Sequence, residues 1–450
     1  MNISTNIFRE YDIRGIVGKE LYDADARAIA RAFGTYVQRH GRKTLAVGRD
    51  VRLTSDRFAE LVLEGLTSTG CDVIDIGIVP TPLLYFSLHN LPVDGGVMIT
   101  ASHNPSEYNG FKLCLGTASV YGQEVQKILS MIQQEDFVTG RGSVTGANDI
   151  IHRYMRYVTE HIRLQKSVRA VIDCGNATAS LVAPQLVKAL GCTVTELYCE
   201  PDGRFPNHHP DPTDPKNLVD LIAAVKREKA QVGLAFDGDS DRLGVIDDQG
   251  NILWGDQLMM VFSRDILARR PGGTIIFEVK CSKNLEGDIR KHGGNPLMWK
   301  AGHSLIKSKM KEIGAVMAGE MSGHLFFADE YFGYDDALYS AARMLRILSE
   351  TDQPLSTFLK DVPKTYSTPE LRVECPDNKK FGVVNEVKEY YRTRHPIIDV
   401  DGVRVNFGDG WGLVRASNTQ PALVLRFEAD TEERLAQIRT DVESVVHSRM

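Results

Sequence analysis

Short apolar runs, each broken off by a polar loop, recur along the chain in one order. In residues 43–105 the run in KTLAVGRD precedes a helical pattern at 57–68, then CDVIDIGIVP, then DGGVMITASHNP. Residues 169–242 repeat the order with RAVIDCGNATA, a helical pattern at 181–190, CTVTELYCEP and QVGLAFDGDSDR. Residues 273–324 repeat it again with GTIIFEVKCSKN, a helical pattern at 285–291, GGNPLMWKAGHS and GAVMAGEMSGH. Apolar, β-prone runs bounded by Gly, Pro and Asp predict buried strands, and the 3.6-residue patterns predict helices between them. Strand, helix, strand, crossover, strand is the order of an α/β unit with a largely parallel sheet. A repeat of about 100 residues is a duplicated domain, not a solenoid.

After residue 363 the texture changes. DGVRVNFGDGWGLVRASNTQPALVLRFEAD reads as successive strands, and 431–447 has the pattern of an amphipathic helix. The fold class is therefore α/β: three related α/β domains with mixed, largely parallel sheets, plus a C-terminal α+β domain. Boundaries are expected at 1–148, 149–251, 252–363 and 364–450. Ligands of open α/β sheets bind beyond the carboxyl ends of the strands. The loops TASHNP, DGDSDR and GEMSGH end the last strand of each repeat, so they are expected to converge on one central cleft.

Composition narrows the class. The net charge of −6, with no Lys/Arg-rich run, argues against a nucleic-acid partner. No apolar stretch approaches the roughly 18 residues of a membrane span. The N-terminal MNISTNIFREYD lacks the basic region and apolar core of a signal peptide. Seven cysteines without a C-x-x-C pair fit neither a disulfide framework nor a zinc site. Cys114, Cys174, Cys192 and Cys281 read as buried, inert thiols. A cytoplasmic protein, monomeric and without a membrane partner, is expected.

The loops carry the chemistry. DGDSDR alternates Asp237, Asp239 and Asp241, and three carboxylates this close repel unless a cation neutralises them. Hard oxygen donors favour Mg²⁺ or Ca²⁺ over zinc. An EF-hand also begins D-x-D-x-D, but its sixth position must be glycine and here it is Arg242. A plain solvated turn is the bland reading, and it sits poorly after the apolar run VGLAF. GEMSGH offers Glu320, Ser322 and His324; Glu and Ser suit sugar hydroxyls, and a histidine can move a proton, although one such histidine is more often structural. RASNTQP groups Arg415, Ser417, Asn418 and Thr419, a set able to nest a phosphate. Arg14 in YDIRG, Lys112 in NGFK, Lys280 in EVKCS and His303 in KAGHS are either surface groups or ligand contacts. Neither a P-loop nor a dinucleotide fingerprint is present. Ser102 in TASHNP is a poor nucleophile alone, and His103 beside it is not automatically its base. A serine facing a metal, however, can carry a phosphoryl group where fixed charge stabilises the transfer.

These four loops in this order, with FREYDIRG, NGFK, EVKCS and KAGHS, resemble the α-D-phosphohexomutase superfamily over essentially the whole chain. They are most similar to its bacterial phosphomannomutase/phosphoglucomutase branch. The resemblance implies four domains in a heart-like arrangement around a central cleft. It implies that Ser102 is a phosphoserine in the active enzyme, and that Asp237, Asp239, Asp241 and a Ser102 phosphate oxygen hold Mg²⁺. It places Arg14, His103, Lys112 and Arg242 around the reacting phosphate, and Glu320 and Ser322 on the sugar 3- and 4-hydroxyls. Lys280, His303 and His324 line the cleft, while Arg415, Ser417, Asn418 and Thr419 grip the second phosphate. The implied reaction interconverts hexose 1-phosphate and hexose 6-phosphate through a hexose 1,6-bisphosphate, with glucose 1,6-bisphosphate as activator. Phosphoglucosamine mutase is the rival within the superfamily; its phosphate loop typically reads Ser-Gly-Thr where Ser417-Asn418-Thr419 stands here. A metal-dependent sugar phosphatase with Asp237 as nucleophile, and a non-catalytic sugar-phosphate sensor, are the rivals outside it.

Overall fold

In the computed structural model, which describes residues 3–417 and 420–450, the apolar runs form four sheets. In the first, Thr44–Arg49 lies between Asp72–Ile78 and Gly95–Ile99, all parallel. The chain then turns back, and Tyr108–Leu115 runs antiparallel to Gly95–Ile99, with Ile13–Ile16 antiparallel beyond it. The second sheet repeats the plan. Arg169–Asp173 is flanked in parallel by Thr193–Leu197 and Val232–Phe236, and Leu243–Asp247 returns antiparallel. In the third, Thr274–Glu278 lies between Asn295–Trp299 and Met317–Gly319, with Leu325–Phe327 returning antiparallel. The sheets are mixed and mostly parallel in their centres.

The return strand positions the chemistry. Each polar loop is the turn between the last parallel strand and its antiparallel return, so residues 100–107, 237–242 and 320–324 occupy equivalent places. The fourth sheet is antiparallel throughout, with Gly410–Ala416 paired along its length to Ala422–Ala429 and helices Asp377–Arg392 and Glu432–His447 packed on it.

Helices fall close to the expected segments, at Ser55–Thr67, Ala183–Ala189, Lys283–Lys291 and Glu432–His447. Helix Thr81–Asn90 (TPLLYFSLHN) is apolar on nearly every side, as a helix buried all round must be. Its Leu83, Leu84, Tyr85 and Phe86 join one core that includes Tyr154, Phe236, Phe277 and Tyr339, so the first three units share an interior. The fourth has its own core around Val387, Leu425 and Val442. It meets the third through a small junction of Val279, Trp411 and Leu413, across which Arg404 donates to the carbonyls of Val279 (2.6 Å) and Cys281 (2.7 Å). Cys114, Cys174 and Cys281 are buried, whereas Cys192, just before the edge strand Thr193–Leu197, is half-buried. No helix among the described residues is long and apolar enough to cross a membrane.

Candidate active site

Ser102 is buried, with a φ of 52° in the left-handed region that few side-chain-bearing residues adopt. That turn brings its Oγ to donate to Asp237 Oδ2 at 3.0 Å, with His103 Nδ1 3.2 Å away. Asp237, Asp239 and Asp241 have no exposed surface, and their carboxylate oxygens gather within 4.8 Å of one another. Asp237 Oδ1 accepts from the amides of Asp241 (3.0 Å) and Arg242 (3.1 Å), which closes the loop on itself. Lys112, on the return strand of the first sheet, sets its ammonium 2.7 Å from Asp239 and 2.5 Å from Asp241.

One lysine does not balance three carboxylates. Burial pushes the Asp237 carboxyl well above the usual range, and the charges of Asp241 and Asp239 push it further. Oδ1 of Asp239 and Oδ1 of Asp241 are buried without a hydrogen-bond partner. Orphaned oxygens converging in a buried acidic cluster fit a hard divalent cation. Ser240, the odd residue of the loop, turns away from the cluster and bonds Thr178 Oγ1 at 2.9 Å.

The other loops join by direct contacts. Arg242 Nε donates to His324 Nε2 at 3.0 Å, while its guanidinium stands 3.9 Å from Asp237. His324 stacks on His303, with centroids 5.4 Å apart. Arg14 is paired with Asp12 and donates to Asn104 Oδ1 at 2.6 Å, beside the serine loop. Burial, Arg242 and Arg14 push the His103 imidazole well below its ordinary value, and burial and Lys307 do the same to His303. Glu320 is buried and accepts from the Gly302 amide at 2.6 Å, which ties GEMSGH to KAGHS; Ser322 is half-buried on the same turn. Lys280 lies between Glu278 (3.3 Å) and Glu370 (3.2 Å), the latter from the fourth unit. Arg415 meets Asp401 at 3.0 Å, and Asp401 also accepts from the Ala301 amide at 3.1 Å. Ser417 is buried, and its carbonyl is held by Lys380 at 2.6 Å. Asn418 and Thr419 lie outside the described residues. A continuous chain of contacts thus links Ser102 to Arg415 across all four units.

Several contributors carry no signal in the sequence alone. Asp335 gathers Lys307 (2.9 Å), His324 (3.1 Å) and His303 (3.5 Å), and Thr81 donates to Asp239 at 2.7 Å from a distant helix.

A buried hydroxyl facing a cation-ready acidic cluster, amid fixed positive charge, is an arrangement suited to phosphoryl transfer. The comparisons with known proteins make the class specific. Profiles described as phosphoglucomutase/phosphomannomutase, alpha/beta/alpha domains I, II and III, match residues 5–139, 152–250 and 254–366, and the C-terminal domain of the same description matches 370–445. A phosphomannomutase/phosphoglucomutase of Pseudomonas aeruginosa is 48% identical over 97% of this chain and 95% of its own length. A phosphoglucomutase of Neisseria meningitidis is 47% identical over 99% and 98%. A crystal structure of a phosphoglucomutase/phosphomannomutase family protein from Burkholderia thailandensis superposes with a TM-score of 0.95 at 42% identity, covering 100% of this chain and 98% of that one. The chain belongs to the phosphoglucomutase/phosphomannomutase family and is a phosphohexomutase enzyme.

Proposed function

We propose that the enzyme interconverts the 1- and 6-phosphates of mannose and glucose, with Ser102 as the phosphoryl carrier. The observation that carries this reading is the buried Ser102 hydroxyl on the acidic cluster, linked by contacts through to Arg415. Asp237, Asp239, Asp241 and an oxygen on Ser102 would hold Mg²⁺, which when bound supplies electrostatic stabilisation of charge on the phosphoryl group. Arg14, Lys112 and Arg242 add fixed positive charge around Ser102. Glu320 and Ser322 hold the sugar 3- and 4-hydroxyls, while Lys280, His303 and His324 line the space between them and the serine. Arg415, Ser417, Asn418 and Thr419 take the phosphate that is not reacting.

Phosphoserine gives its phosphoryl group to the free hydroxyl of a hexose 1-phosphate: the bond from phosphorus to Ser102 Oγ breaks and one to the sugar oxygen forms. The sugar hydroxyl gives its proton to a basic group lining the cleft, and the Ser102 Oγ released from phosphorus takes one proton up, so that Ser102 is left as the alcohol with no net change in protons. The resulting 1,6-bisphosphate turns over in the site and returns its other phosphoryl group to Ser102. In that return Lys112, His103 or His324 would take the serine proton, and His103 Nδ1, 3.2 Å from Oγ, supports the histidine beside the serine. Glucose 1,6-bisphosphate activates by the same step, loading a dephosphorylated Ser102. The two phosphates exchange places, which explains a phosphate-binding loop remote in sequence from the serine. Domains divided at 148, 251 and 363 would each contribute one loop, in a monomer working in the cytoplasm.

The test is turnover. Purified protein with Mg²⁺ and a trace of glucose 1,6-bisphosphate is offered mannose 1-phosphate, glucose 1-phosphate and glucosamine 1-phosphate separately, beside Ser102→Ala. Turnover of the first two, abolished by the substitution, is the expected result. Preference for glucosamine 1-phosphate would move the protein to the sister activity. Release of free phosphate, undiminished in Ser102→Ala, would replace the mutase by a phosphatase.

A further inference from the structure

Arg52 lies in the loop after the central strand Thr44–Arg49, and its side chain has no exposed surface. A guanidinium has five N–H donors in a planar fork, and here each has its own acceptor. Nε donates to Asp50 Oδ2 at 3.1 Å. One terminal nitrogen donates to the carbonyls of Pro105 (2.5 Å) and Tyr108 (3.1 Å), and the other to those of Ser102 (2.7 Å) and Asn104 (2.6 Å). Three of the five bonds therefore end on the backbone of the loop that carries Ser102, and a fourth on Tyr108, the first residue of the return strand.

We propose that Arg52 is a positioning residue for phosphoryl transfer, a clamp that fixes the backbone of the serine loop so that Ser102 Oγ faces the acidic cluster. The inference rests on the assignment of Ser102 as phosphoryl carrier. The clamp is itself anchored. Asp50, which fixes the guanidinium plane, accepts from Ser55 Oγ at 2.5 Å and from the Arg52 amide at 2.9 Å. Phe205 of the second unit lays its ring 5.2 Å from the guanidinium, and a Cβ on Gly203 would come within 2.3 Å of the Val51 carbonyl, so that loop packs directly over the clamp. From the other side the Gly238 backbone presses on the same Ser102 carbonyl, where a Cβ would stand 2.2 Å from it. The carbonyl is thus fixed between a guanidinium of the first unit and the metal loop of the second. Because ψ of Ser102 follows its carbonyl, this contact helps hold the left-handed turn that aims the hydroxyl.

Arg52→Lys keeps the charge but offers three donors on a point cation, too few for four carbonyls and a carboxylate. The expected result is a fall in kcat of about 30-fold or more with KM held within about threefold, because no sugar contact changes. The rate of Ser102 phosphorylation by glucose 1,6-bisphosphate falls with kcat, and amides 102–108 exchange hydrogen about tenfold faster while the core strands do not. A kcat within about threefold of the native value, a loss carried by KM alone, or faster exchange spread over the whole first sheet would each overturn the proposal. Should the variant not fold, exchange in the unsubstituted protein decides. Protection of amides 102–108 comparable to that of strand Gly95–Ile99 upholds the clamp, and exchange as fast as that of exposed loops overturns it. If the native protein does not isomerise hexose phosphates, it is the proposed function that fails, and the exchange measurement still decides the clamp.

Discussion

Gly238 sits in the acidic loop 237–242, its backbone packed against the carbonyl of Ser102. A Cβ built there falls 2.2 Å from that oxygen and 3.0 Å from its carbon, whereas real Cβ atoms essentially never come within 3.0 Å of a neighbour. In Gly238→Ala the two loops must therefore separate by about 0.8 Å, and neither partner is a side chain that can rotate aside. The separation acts directly between Ser102 Oγ and Asp237, now 3.0 Å apart. A misplacement of about 1 Å at a reacting group costs on the order of 100-fold in rate, or about 2.7 kcal/mol in the barrier. Coupled assays of hexose 1-phosphate isomerisation should show kcat reduced by roughly that factor with KM within about threefold, since Glu320, Ser322 and Arg415 are untouched. The melting temperature should fall by only a few degrees, because the change is local. A kcat within about threefold of the native value would refute the reasoning, for it would mean that the two loops tolerate separation without consequence.

Three further outcomes follow from the same geometry. Asp336 is buried against the hydroxyls of Tyr154 and Tyr331, and burial raises its carboxyl to about 6. The folded protein then holds a proton that the unfolded chain releases above about 4, so this group's contribution, on the order of 3 kcal/mol, is present below that pH and lost as pH rises through 6. Urea midpoints across this window should show the slope in the native protein and not in Asp336→Asn; parallel curves would contradict the assignment. Arg404→Met removes two buried carbonyl bonds and the cation 3.7 Å over Trp411, which should destabilise the third–fourth unit junction by about 3 kcal/mol and expose residues 363–371 to proteolysis; a loss under about 1 kcal/mol would contradict it. Chelation should abolish turnover, and Mg²⁺ at about 1,000 times its Kd should stabilise the protein by about 4 kcal/mol, read as a rise in melting temperature that Asp239→Asn loses; an unmoved melting temperature would contradict the site.

The chemistry was legible where one short segment carries it whole. Asp237, Asp239 and Asp241 alternate within six residues, which signals the buried acidic cluster seen in the structure, and VGLAF before them announces the buried strand that delivers it. The repeat could be read because each unit spells strand, helix and strand in the same order. What stayed hidden depends on the antiparallel return strand and on contacts between units. Lys112 reaches Asp241 only because Tyr108–Leu115 folds back beside Gly95–Ile99, and Thr81 meets Asp239 across 158 positions of sequence. Helix Thr81–Asn90 has no polar face to show which side is buried. Arg52, Asp335 and Asp401 look like ordinary charged residues, since their roles come from carbonyls and cations that other loops present to them.

The central claim, that Ser102 carries the phosphoryl group between the two ends of the sugar, is tested most directly by single-turnover transfer. Protein phosphorylated on Ser102 with labelled phosphate is mixed with unlabelled glucose 1-phosphate and Mg²⁺, quenched early, and its sugar phosphates and serine peptide are separated. The account predicts label leaving the Ser102 peptide at the rate at which labelled glucose 1,6-bisphosphate and then 6-phosphate appear. Label that stays on Ser102 while isomerisation proceeds, or that leaves only as free phosphate, would contradict it.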